Sequence, residues 1–176
     1  LNIIVCVKRV LDPRLPPMAL RSYIQDNQLK VPGNAPFVLS TFDEYALELA
    51  LRVKDQTDAH ITVITFGSGD SVDILRHSLA MGADDAILVE DVPSQEWDCI
   101  KTANILAKAV QKCAVPDLIL CGRQAADWDS AQVGQLIGLN LDIPCINVVR
   151  RIEVIDNGIR VERTLSDGYE ILDITT

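Results

Sequence analysis

PDLILCGRQAADWDSAQVGQLIG, residues 116–138, is the stretch whose reading decides the fold. Its apolar run Leu118–Cys121, bounded by Pro116 and Gly122, reads as a buried strand of a parallel sheet. A polar turn covers residues 122–130. Beyond it Ala131, Val133, Leu136, Ile137, Leu139 and Leu141 recur at helical spacing, with Asp129 as the expected N-cap and Gln132 completing a capping box. A strand that passes through a polar turn into a helix N-terminus offers backbone N–H groups to an anion. The turn is therefore a candidate cradle for a nucleotide phosphate. The plainer alternative is a turn closed by Asp127, Trp128 and Asp129 that holds no ligand.

Working outward, the same strand-then-helix unit recurs three times upstream. Asn2–Val7 (NIIVCV) is a first strand, apolar on both sides and hence central, ending in Lys8 and Arg9. Thr41 opens a helix, with Glu44 completing a second capping box and Phe42, Ala46, Leu49, Ala50 and Val53 on the buried face. Residues 61–66 form the second strand, followed by Gly67, Ser68 and Gly69 and then a helix over residues 71–81 that Gly82 closes. A third strand spans residues 86–89, and a further helix spans residues 98–113. This alternation predicts an α/β fold, a Rossmann-like, doubly wound parallel sheet.

Two regions break the rhythm. Residues 11–39 carry five prolines and little periodicity, the mark of an arm, lid or interface. Within them, residues 23–31 read as a short irregular hairpin around Asp26 and Asn27. After Pro144 the period becomes two. Residues 146–155, 159–165 and 169–175, joined by turns at Asn157-Gly158 and Asp167-Gly168, predict an antiparallel β meander. Residues 1–144 are thus the β/α core of a single domain and 145–176 its antiparallel extension, and a parent chain is expected to continue beyond the last strand.

Composition narrows the function. The 176 residues are 48% apolar but only 5% aromatic, so the core is made of Ile, Val, Leu and Ala. A net charge of −9 argues against nonspecific nucleic-acid binding, which needs a basic face to displace counterions. No apolar run approaches the roughly 18–20 residues of a membrane span. The short apolar start leads into Lys8 and Arg9, unlike a signal peptide. Five cysteines, odd in number and without C-x-x-C spacing, read as reduced thiols of a cytoplasmic or organelle-matrix protein, with no metal site.

In doubly wound sheets, ligands bind at the carboxyl edge where strand order reverses. With the first and fourth strands as neighbours there, Cys6, Val7, Lys8 and Arg9 face the turn at residues 122–132. The turn at residues 66–69 and the helix start near Thr41 wall the crevice. Asp127 and Asp129 would repel a phosphate, unless Asp129 caps the helix and Lys8 and Arg123 offset the remaining charge. Trp128 is a stacking residue, an interface residue or a lid; an exposed ring without a partner is not expected. Asp43, Glu44 and Glu48 read as a solvated helix face. Gly67-Ser68-Gly69 lacks the third glycine of a dinucleotide fingerprint. The run GSGDS, residues 67–71, sits one strand too far along for the SGGxDS loop of ATP pyrophosphatases. His60 and His77 have no nucleophile and acid beside them in sequence. The chain reads as a binder rather than a self-sufficient enzyme.

The same residues carry a resemblance. Residues 3–9 (IIVCVKR), 42–51 (FDEYALELAL), 61–67 (ITVITFG), 78–84 (SLAMGAD) and 116–134 (PDLILCGRQAADWDSAQVG), continuing through 139–149 and 161–163, resemble the β subunit of electron transfer flavoproteins, the ETF-β/FixA family. The resemblance covers essentially the whole chain. It implies an adenine nucleotide alpha hydrolase-like fold paired with a homologous α subunit that carries the redox-active FAD. The β site holds AMP in conventional members and a second FAD in electron-bifurcating ones. Electrons arrive from a flavin dehydrogenase such as acyl-CoA dehydrogenase and leave to a quinone reductase or another acceptor.

By position, the resemblance puts the nucleotide against Cys6, against Ser40, Thr41, Phe42 and Asp43, and against Phe66. It adds the loop Gly122, Arg123, Gln124, Ala125, Ala126, Asp127, Trp128, Asp129, Ser130, Ala131, Gln132 and Val133. Ser40-Thr41-Phe42 departs from the Asn-Pro-Phe of many members, and Trp128 stands where bifurcating members often carry Asp-Gly-Asp. Ala131-Gln132-Val133-Gly134 is closer to the bifurcating pattern than to the N-Q-T-G of conventional ones. The competing reading is a stand-alone adenine-nucleotide sensor or stress-type module.

Overall fold

The chain opens with β1 (Asn2–Val7), the most buried strand among the described residues. Successive side chains of a strand point to opposite faces, and here both faces are covered. Ile3, Val5 and Val7 pack with one set of helices; Ile4 and Cys6 pack with another. That two-sided burial is why the strand reads as a continuous apolar run. The computed structural model describes residues 1–25, 28–90, 98–113 and 115–175.

After β1 come β2 (Arg9–Leu11), α1 (Pro17–Ser22), β3 (Ile24–Gln25), β4 (Gln28–Leu29) and β5 (Phe37–Leu39). Here β2 pairs antiparallel with β5, and β3 with β4. The pairing of β3 with β4 agrees with the expected hairpin, whose tip at Asp26 and Asn27 lies outside the described residues. The core continues with α2 (Thr41–Lys54), β6 (His60–Gly67), a 3-10 turn (Gly69–Ser71), α3 (Val72–Met81), β7 (Asp85–Glu90), α4 (Cys99–Lys112), β8 (Leu118–Cys121) and α5 (Val133–Leu141).

The four core strands run parallel in the order β7-β6-β1-β8. From β1 the chain builds outward through β6 and β7, then returns to place β8 on β1's other side. The strand order therefore reverses between β1 and β8. Helices α2 and α3 cover one face through Leu47, Ala50, Ile74 and Leu75. On the other face α4 and α5 contribute Ala103, Leu106, Val110 and Ile137. The doubly wound α/β architecture is as the alternation predicts.

The meander is β9 (Val149–Ile155), β10 (Gly158–Leu165) and β11 (Gly168–Thr175), paired antiparallel in the order β11-β10-β9. Ile152 and Val161 join the core of β1 and α2. Gly158 pairs with Ile155 and Gly168 with Leu165, so the two-residue loops are Asp156-Asn157 and Ser166-Asp167, one residue earlier than expected. Gly158 opens its strand at φ +146, where an added Cβ would overlap the Ile174 carbonyl oxygen.

Both capping boxes give way to other partners. Thr41 is already inside α2; Ser40 is the N-cap and makes no side-chain cap bond. Its carbonyl instead accepts the N–H groups of Asp43 at 2.9 Å and Glu44 at 3.0 Å. The buried face of α2 is rotated accordingly, with Asp43 and Leu47 in place of the half-buried Phe42 and Leu49. Helix α5 starts at Val133 with Gln132 as N-cap, so Asp129 does not cap it. At α3 the expected closure holds, with Gly82 at φ +127.

Candidate functional site

Cys6 of β1 lies opposite Cys121, the last residue of β8, so the two strands end within one residue of each other at the point where strand order reverses. Their continuations diverge, β1 through Lys8 toward β2 and β8 through Gly122 into the loop before α5. A cavity of about 550 Å³ opens there, a size typical of small-ligand sites. Cys6, Val7, Cys121 and Gly122 form its base. Phe66 and Gly67 at the end of β6 make one wall, and Asp98, Cys99, Thr102 and Leu106 of α4 and its cap make another. Arg123, Gln124, Ala125, Trp128 and residues 130–134 complete it.

Gly122 is held where a side chain cannot fit. An added Cβ would overlap Asp43 Oδ1 and come within 2.8 Å of the Phe42 carbonyl carbon. The reason is Asp43 itself. Its Oδ2 accepts the Lys8 N–H at 2.9 Å and its Oδ1 accepts the Gly122 N–H at 3.1 Å. Only 7% exposed, Asp43 is not part of a solvated face, contrary to the helical pattern. Burial pushes its pKa up to about 7, against the opposing pull of the two N–H groups, the Ser40 hydroxyl and the Lys8 charge. Beside it, the Cys6 thiol and desolvation push the Cys121 thiol upward.

The loop's other carboxylates are engaged within the protein. Lys8 Nζ reaches both oxygens of Asp127, at 2.8 and 2.7 Å. Asp129 accepts Gln124 Nε2 at 2.7 Å and sits at φ +50, with Ala131 at φ +52. Such left-handed conformations are costly away from glycine and cluster at binding sites. Arg123 lies 5.5 Å from the centroid of the Phe42 ring. Cys99 Sγ donates to Ser130 Oγ at 3.3 Å, tying α4 to the loop. Helix α5 begins without a side-chain cap, and Val133 and Gly134 line the cavity. The donors that any helix leaves at its first turn, and the positive end of its dipole, are therefore at the site.

Of the residues expected here, Cys6, Val7, Lys8, Asp43, Phe66, Gly122, Arg123, Gln124, Ala125, Trp128, Ser130, Ala131, Gln132 and Val133 line the cavity. Ser40, Thr41, Phe42, Ala126, Asp127 and Asp129 are not in its lining; Ser40, Phe42, Asp127 and Asp129 brace residues that are. Trp128 is at the rim and 82% exposed, a correction to the expectation of a covered ring. The wall from α4 was missed. Connectivity could have found it, because a helix that follows a parallel strand starts at that strand's carboxyl edge. His60 stands at the opposite edge of the sheet, paired with Asp85 at 2.8 Å. Among the described residues, no group of three or more His, Cys, Asp or Glu is placed to hold a metal ion.

The family model of the electron transfer flavoprotein domain matches residues 31–176. The chain belongs to the electron transfer flavoprotein family. It is 38% identical, over 100% of its length, to the electron transfer flavoprotein subunit beta of Thermoanaerobacterium thermosaccharolyticum, and covers 65% of that protein. The CarD subunit of the caffeyl-CoA reductase-Etf complex of Acetobacterium woodii is 34% identical over 99% of the chain, which spans 65% of it. Protein FixA of Azorhizobium caulinodans is 34% identical over 98% of the chain, which spans 62% of it. The chain thus spans just under two thirds of the length of these electron transfer flavoprotein relatives. Among its described residues, no helix is long and apolar enough to cross a membrane.

Proposed function

We propose that the cavity binds an adenine nucleotide, AMP or FAD, and that the chain is the non-catalytic β half of a heterodimeric electron transfer flavoprotein. One observation carries the reading: an uncapped helix start, a glycine that admits no side chain, and a loop with internally engaged carboxylates meet at one sheet edge. The residues fit such a ligand. The first turn of α5 offers N–H donors to a phosphate, while Phe66, Val7 and Leu106 offer apolar surface to an adenine ring. Asp127, which would repel a phosphate, is neutralised by Lys8. Bound FAD supplies a second redox centre, whereas bound AMP supplies none. The chain's own residues hold and orient the nucleotide and pass no proton or electron to it.

In this reading the partner α subunit holds the redox-active FAD. A flavin dehydrogenase such as acyl-CoA dehydrogenase delivers electrons, and a quinone reductase or another acceptor takes them, in the cytoplasm or the mitochondrial matrix. The relative named as part of a caffeyl-CoA reductase-Etf complex supports work within such an assembly. Purifying the full chain with its flavoprotein partner and quantifying released flavin and adenine tests this. One adenine nucleotide beyond the partner's FAD is expected per heterodimer, and its identity separates AMP from a second FAD. A stable homodimer that binds ATP without any flavoprotein would overturn the assignment in favour of a stand-alone sensor.

A further inference from the structure

We infer that Asp43 is the positioning residue of this site: its carboxyl fastens the ends of β1 and β8 to the start of α2, and its charge state sets how well the crevice accepts an anion. The inference rests on the nucleotide reading above. Lys8 donates its N–H to Asp43 Oδ2, and its carbonyl accepts the Ser40 N–H at 2.9 Å. Its backbone is thus gripped on both sides by the first turn of α2. Gly122 is drawn onto the other oxygen of the same carboxyl. These are the two strand ends between which the cavity opens, so a single side chain spans the reversal of strand order.

Two backbone donors require two acceptors. A carboxyl supplies both oxygens whether or not it carries the proton, whereas an amide supplies one acceptor and turns its own donor against the second N–H. The proton decides something further. Ionised, the group bonds both N–H groups more strongly but sets a negative charge beside an incoming phosphate. Neutral, it keeps the grip without the repulsion. The titratable groups that act on it are the Lys8 ammonium, itself engaged by Asp127, and the Cys121 thiol at the end of β8. Burial brings its titration into the neutral range, at about 7.

The test uses the full-length chain in its complex, stripped of nucleotide, with AMP as probe between pH 7 and 9. Over that range the phosphate keeps a nearly constant charge, its second pKa being about 6. Wild-type affinity is expected to fall with rising pH, by at most about tenfold per pH unit. Asp43→Asn is expected to bind AMP about tenfold more weakly at pH 7, in line with one unsatisfied N–H, and to lose the pH dependence. Amide hydrogen exchange at Lys8 and Gly122 should quicken in the variant with or without AMP. A variant that keeps wild-type affinity and the wild-type pH profile overturns the inference, as does unchanged exchange at both amides. Should the variant fail to fold, a flat wild-type profile is enough to overturn it. A wild-type complex that takes up no AMP and no FAD refutes the nucleotide reading instead, and the exchange result still decides whether Asp43 fastens the strands.

Discussion

At both edges of the central sheet an aspartate accepts a strand N–H within reach of a lysine, yet the two carboxyls behave in opposite ways. At the amino edge, Asp84 accepts the Ile61 N–H at 2.8 Å and the Lys54 ammonium at 2.6 Å. Water reaches it, and those two bonds, Ile61 first, pull its pKa below the usual carboxylate value. At the carboxyl edge, Asp43 accepts two N–H groups, but it is shut away from water and the nearby lysine is held by Asp127. Its pKa rises. Access to water, rather than the number of hydrogen bonds, decides the sign. The amino edge is built only to hold, with Gly82 in the left-handed turn and Asp117 accepting the Asn2 N–H at 2.7 Å. The carboxyl edge gives up stability in a buried carboxyl, two left-handed non-glycine residues and an uncapped helix, as binding sites commonly do.

The largest expected effect comes from Gly122→Ala. Overlap with Asp43 and Phe42 should cost about 3 kcal/mol, roughly 6–12 °C in Tm for a chain of this size, and AMP titration should show no binding. Gly168→Ala, with nothing within 4 Å of the new methyl, is the control for added bulk alone. Equal behaviour of the two variants would break the account of the carboxyl edge.

Next in size are opposite pH signatures at the two edges. The folded chain holds the Asp43 proton up to about 7, against 3.8 for an ordinary aspartate. Its contribution to stability is therefore full below 3.8 and is lost as pH rises toward 7. Asp84 is lowered, so its contribution is present above 3.8 and is lost as pH falls through the folded value. Thermal melts from pH 3 to 8 should show Asp43→Asn flattening the decline between about 4 and 7. Asp84→Asn should flatten only the acid limb. Slopes of the same sign in both variants contradict the comparison.

A smaller effect belongs to Lys8→Met, which frees Asp127 within the loop. AMP affinity should fall severalfold while stability changes by less than about 1 kcal/mol, the ordinary worth of an exposed ion pair. Lys54→Met at the other edge should leave AMP affinity untouched, and parallel titrations of the two variants check this. Smallest of all is Ala131→Gly. Relief of a left-handed alanine, about 1–2 kcal/mol, outweighs the entropy cost of glycine, about 0.5–1 kcal/mol. A slight rise in Tm is expected; a fall means that Ala131 stores no strain.

What the sequence makes legible at these edges follows from how local the cause is. Both β1 and β8 can be read to the residue, because each is an apolar run stopped by a charge or a glycine. Gly82 is equally plain, since its φ is set by its own turn. Asp43 is not, because the groups that bury it come from 35 residues upstream and 79 residues downstream. Helical spacing places it beside Glu44 and Glu48 and says nothing of two strand ends docking on the first turn. The capping pattern at Asp129 fails for a different reason: Gln124, inside the same loop, takes the carboxylate that the pattern assigns to the helix. Trp128 is exposed because no other element reaches that side of the loop among the described residues, which alternation along the chain cannot foresee.

The central claim is that the crevice at the reversal of strand order holds an adenine nucleotide. Its most direct test is amide hydrogen exchange on the full-length complex, stripped of nucleotide, with and without AMP. Protection is predicted at Lys8, at Phe66 and Gly67, through residues 122–134 and at the start of α4, with none in β9–β11 or around Asp84. Protection that is absent from these segments, or confined to the meander, would contradict the account.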